Sequence, residues 1–153
     1  MVFCKSAFRN ERKYIELKIT MNVQVRGKSS LFVGLVDRSK YRQEQLTSTY
    51  WKDSPSSFYW DVWNNKLIRI DDNGVQTGVA IGYGCSCQDT DVTVIGILYD
   101  PKSKTISYYK DGANQGVAFH DVPLGLYPAL DLWFDSGNIE ILNKTHPTLK
   151  EYL

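Results

Sequence analysis

Cysteine, histidine and methionine are scarce in this chain, with three, two and two residues in 153. Charge of one sign is also missing. Eighteen Lys and Arg stand against seventeen Asp and Glu, a formal charge of +1. That balance leaves no electrostatic footprint for nucleic acid or an anionic membrane, so neither is expected as a partner. No apolar run reaches the length of a secretion signal or a bilayer span. With three Cys and no such signal, a reducing, cytoplasmic setting is expected rather than a disulfide framework. Zinc wants four ligands in paired spacings. Cys85 and Cys87 stand only one residue apart, and Cys4, His120 and His146 supply no second pair, so no metal is expected. "DDNG" and "DTD" do not match the spaced oxygen ligands of a calcium loop and read as turn chemistry. There is no Gly-x-Ser-x-Gly elbow and no Gly-rich turn leading into a helix. A sustained helical period is absent too.

What the chain has in excess is aromatic: four Trp, ten Tyr and six Phe, 13% of the residues. Strands favour such side chains. In "YIELKITMNVQVR" the apolar residues Ile15, Leu17, Ile19, Met21, Val23 and Val25 take every second place, as in a long strand with one wet and one buried face. "GKSS" turns the chain into a partner strand, "LFVGLVD". Gly34 within it signals a bulge or a close neighbour. "FYWDVW" and "KLIRID" form a hairpin around Asn64 and Asn65, read as a two-residue primed turn. A short strand from Val79, the run "VTVIGILY", "KTISYYK", "GVAF", "GLYPALDLWF" and "NIEIL" complete the set. Asp100 and Pro101 suit the start of a type I turn, and Asp111 and Gly112 a tight hairpin. Roughly ten short strands separated by turn signals predict an all-β sandwich or barrel.

From Arg38 to Ser57 the alternation dissolves. Long ordered loops are often functional, and the scattered aromatics argue against disorder. Trp60 alternates with Phe58 and Val62 and is expected in the core. Tyr50 and Trp51, in the loop, are expected at or near the surface, where large aromatics anchor partners. His120 and the pair Asp131 and Asp135 supply no convincing catalytic constellation. No catalytic residue and no cofactor are expected.

Read in order, "YIELKI", "FVGLVD", "FYWDVWNNKL", "VIGILYDPKSKTISYYKDGANQGVAF" and "LYPALDLW" resemble the SPRY family over residues 12 to 142. The resemblance implies a bent, two-sheet antiparallel β-sandwich of the concanavalin-type jelly-roll kind, spanning residues 1–142, with 143–153 as a tail or closing segment. It implies a non-enzymatic module that binds a peptide segment or a protein surface through loops at one end of the sandwich, often as the substrate-recognition or scaffold part of a larger protein such as a ubiquitin ligase. By position the partner-binding residues would be Asp37 and Arg38, then Thr47, Tyr50 and Trp51 from the long loop, then Trp133, Phe134 and Asp135. The segment ahead of the first matched strand is short and no PRY-type extension is visible, so a differently built pocket is expected. A carbohydrate-binding sandwich, with exposed Trp stacking on sugars, is the alternative from another class.

Overall fold

The computed structural model describes residues 2–3, 7–8, 11–21, 31–41, 55–84, 92–132 and 137–142. The alternation seen in the sequence becomes β2 (Lys13–Met21), in which Leu17 and Ile19 are fully buried. It follows β1 (Val2–Phe3) and precedes β3 (Leu31–Val36), β4 (Ser57–Asp61), β5 (Lys66–Ile70) and β6 (Gln76–Ile81). Then come β7 (Val92–Asp100), β8 (Thr105–Lys110), β9 (Ala113–Phe119), β10 (Tyr127–Leu132) and β11 (Gly137–Leu142). One sheet runs β1-β10-β3-β4-β5-β6 and the other β11-β2-β7-β8-β9, with antiparallel neighbours throughout. The expected all-β, two-sheet antiparallel sandwich is present.

The facing sides bury one cluster. Leu17, Ile19, Ile95, Ile97, Ile106 and Tyr108 from one sheet meet Leu31, Val33, Leu35, Phe58, Trp60 and Leu130 from the other. Trp60 is fully buried as expected, its ring 5.3 Å from Tyr108 and 5.5 Å from Tyr83. The Tyr108 hydroxyl donates to the Val33 carbonyl at 3.0 Å, tying the sheets together inside the apolar layer. A second cluster lies on the outer side of the first sheet, with Phe32, Val36, Tyr41, Tyr59, Ile68, Ile70 and Ala129 buried and Tyr127 packed against them. That sheet is therefore covered on both faces, which is why "LFVGLV" reads as an unbroken apolar run.

Gly34 marks a close approach, not a bulge. A Cβ there would stand 2.0 Å from the Phe58 carbonyl oxygen and 2.7 Å from the Tyr59 ring. Asp111 and Gly112 form the expected tight hairpin, with φ of 49° and 84° between the paired Lys110 and Ala113. The Asn64–Asn65 hairpin differs from expectation. Asp61 pairs with Lys66, so the connection has four residues, and of the two Asn only Asn65 is left-handed at φ 53°. The reason is Asp61, whose carboxylate accepts from the Asn64 amide at 3.2 Å and its side chain at 2.8 Å. Strands β6 and β9 also begin earlier than the sequence signals suggest.

Candidate functional site

The row Tyr127, Val36, Ser57, Ile70 and Gln76 crosses five paired strands at one end of the first sheet. Here β3 gives way to a single 3-10 turn, Arg38–Lys40, inside what the sequence marks only as loop. Asp37 caps it, because its Oδ1 accepts from the Ser39 amide at 2.9 Å and the Ser39 hydroxyl at 2.6 Å. One oxygen of an expected ligand acceptor is thus already used within the chain. The turn lifts Arg38 so that its guanidinium lies 5.1 Å from the Tyr127 ring centroid, a cation over an aromatic face. Both side chains are half-buried.

Ser56 fixes this end. Its carbonyl accepts from the Asp37 amide at 3.0 Å, and its own amide donates to Asp71 at 2.9 Å. Its hydroxyl donates to Asp72, which also meets the Lys40 ammonium at 3.3 Å. These contacts hold the Asp72 carboxyl below the usual carboxylate range, the Ser56 bond first and Lys40 second. Asp71 closes its own turn by accepting from the amides of Asn73 at 2.9 Å and Val75 at 2.8 Å.

Of the expected partner-binding residues, Asp37 and Arg38 stand side by side at this end. Thr47, Tyr50 and Trp51 lie outside the described residues. The flanks of their segment, Tyr41 and Pro55, are at the Asp37 end. Trp133, Phe134 and Asp135 also lie outside the described residues. The flank before them, Leu132, pairs with Leu31 at the opposite end of β3. Along the strand that is roughly 17 Å from Val36, at about 3.4 Å per residue. The described flanks of the two segments therefore stand at opposite ends of β3.

Sequence reasoning missed Tyr127, Ser56 and the Lys40–Asp72 pair. Tyr127 meets Arg38 only because β10 pairs with β3, a long-range pairing with no local sign. Among the described residues no group of three His, Cys, Asp or Glu could hold a metal ion.

The SPRY domain family model matches residues 12–143. No curated protein sequence matches the chain. Among solved structures it is similar to the SPRY domain of human HERC1, at 15% identity and TM-score 0.61, covering 91% of this chain and 79% of that one. It is also similar to the TRIM65 PSpry domain, at 18% identity and TM-score 0.57, covering 94% of this chain and 70% of that one. At such identities the structural likeness speaks for the fold; the family match, which takes in most of the chain, carries the assignment. The chain belongs to the SPRY domain family, a family of protein-interaction modules.

Proposed function

We propose that this domain is a non-enzymatic recognition module that binds a peptide segment or protein surface. The contacts would come from Asp37, Arg38, Thr47, Tyr50, Trp51, Trp133, Phe134 and Asp135. The observation that carries the reading is Arg38 held over the Tyr127 ring at 5.1 Å, at the end from which the long 42–54 segment departs. Arg and aromatic side chains dominate the energetics of protein interfaces, and a propped guanidinium loses little freedom on binding. We further infer a place in the cytoplasm as the substrate-recognition or scaffold part of a larger protein such as a ubiquitin ligase.

The test compares partner capture by the wild type with that by Arg38→Ala, Trp51→Ala and Trp133→Ala, each beside its melting temperature. Proteins captured by the wild type and lost with each variant at unchanged melting temperature support the reading. Capture that survives all three substitutions sinks it. A loss that tracks a fall in melting temperature removes that residue from the proposed surface. Ligase subunits among the captured proteins would support the larger context, and their absence would count against it.

A further inference from the structure

A second surface lies on the other side of the first sheet. Beside β4, β5 and β6 of that sheet, a cleft of about 610 Å³ is lined by Ser56, Phe58, Arg69, Asp71, Gly78 and Pro123, among others. Arg69 is exposed and stacks 5.1 Å from the Phe58 ring centroid. Among the described residues no carboxylate pairs with it and no hydrogen bond engages it. The acids in the wall are already employed: Asp71 by two backbone amides, and Asp72 by Ser56 and Lys40. The cleft thus presents a cation with its donors unused beside an aromatic face.

Gly78 pairs directly with Arg69 across β5 and β6. Neither backbone nor crowding demands a glycine here. Its φ is not positive, and an added Cβ would meet only the Arg69 Cβ, at 3.9 Å. Its effect is to leave the approach to Arg69 open from the side of β6. Among the described residues that strand is the last of its sheet, and Gln76, Thr77, Gly78, Ala80 and Ile81 are all exposed. Natural sheet edges are usually guarded by charge, proline or bulges. The register slips between Gln76 and Gly78, but from Gly78 to Ile81 the edge carries no charge, no proline and no bulge.

We propose that β6 accepts an extended segment of a partner protein as an added strand, and that an Asp or Glu of that segment passes over Gly78 to pair with Arg69. An added strand would lie about 4.8 Å beyond β6, roughly 9.6 Å from β5. Its residue opposite Gly78 would project on the same face as Arg69. With no side chain between them, a carboxylate and a guanidinium on long stems can meet, and the guanidinium fork suits two parallel hydrogen bonds. Main-chain bonds to β6 would hold the segment, and Arg69 would select its acidic residue. The site is separate from Arg38, since Tyr127 packs on the outer cluster and Phe58 on the inner one.

The test uses isotope-labelled domain and a blocked probe, acetyl-Thr-Val-Thr-Glu-Thr-Val-Thr-amide, beside the same peptide with Gln in place of Glu. The Glu probe should move the amide signals of Gly78 and Ala80 and the Nε signal of Arg69, and should bind at least tenfold tighter than the Gln probe. Arg69→Gln should abolish that preference. Gly78→Val, which suits a strand, should abolish binding at unchanged melting temperature. Arg38→Ala should leave binding intact, so failure of the loop-surface reading and failure here remain distinguishable. Equal affinity for the two probes, signals moving only at residues 37–41, or no movement at millimolar probe would each overturn the proposal. The peptide exchange needs no variant, so the result stands even where one fails to fold.

Discussion

Ser56 occupies a left-handed backbone, φ 49°, that a side-chain-bearing residue adopts at some cost in strain. Three bonds hold it there, and through Asp72 it links the candidate surface to the turn after β5. Removing its hydroxyl gives a local readout. In Ser56→Ala the Asp72 carboxyl should titrate at higher pH than in the wild type, by carbon-detected NMR. An unchanged titration would show that Lys40 alone depresses it. Because that pKa is lowered on folding, the group stabilises above its unfolded value and stops doing so as pH falls through its folded one. Gly34 is the opposite case, a position set by space. Gly34→Ala should destabilise by about 3 kcal/mol or more in urea unfolding, since the added methyl meets backbone that cannot step aside. Gly34 was legible in the sequence because a glycine inside a strand has few explanations. Ser56 was not, because its role depends on a carboxylate in a different turn.

Among the elements, legibility followed locality. The Asp111–Gly112 hairpin could be read because both residues carry the turn in their own backbone preference. Gly112→Ala there should cost about 1–2 kcal/mol, the usual penalty of a left-handed alanine, seen as a lower urea midpoint with an unchanged slope. The Asn64–Asn65 turn is longer than its two Asn suggest because its length is set by Asp61, a residue the pattern assigns to the strand. The early start of β6 has no local sign because Gly78 is a weak strand former that interrupts the pattern, and Gln76 and Gly78 are recruited by pairing with β5. The candidate site divides in the same way. Asp37 and Arg38 follow a recognisable strand, whereas the ring beneath Arg38 comes from β10, far along the chain.

For the molecule as a whole, the aromatic excess implies a limit in alkaline solution. Burial raises the hydroxyl of Tyr83 to about 12 and pushes those of Tyr14, Tyr99, Tyr108 and Tyr109 upward as well. A tyrosine with a raised folded pKa keeps its proton where the unfolded chain has lost it. Its full contribution is therefore present below pH 10, and for Tyr83 it is lost between about 10 and 12. The urea midpoint should fall steeply across that window, and Tyr83→Phe should make the fall shallower. A midpoint independent of pH up to 12 would refute this account.

The pairing of β10 with β3 also has a consequence in time. Tyr127 meets Val36 across roughly ninety residues of intervening chain. At a synthesis rate of about 5–20 residues per second, β3 is finished some 5–20 s before the strand that pairs with its free side has been made. For that interval a nascent "LFVGLV" presents an uncharged apolar edge to its surroundings. The vulnerable state of this domain is therefore the half-made one, and a chaperone bound near the ribosome would have more to protect than one that meets the finished fold.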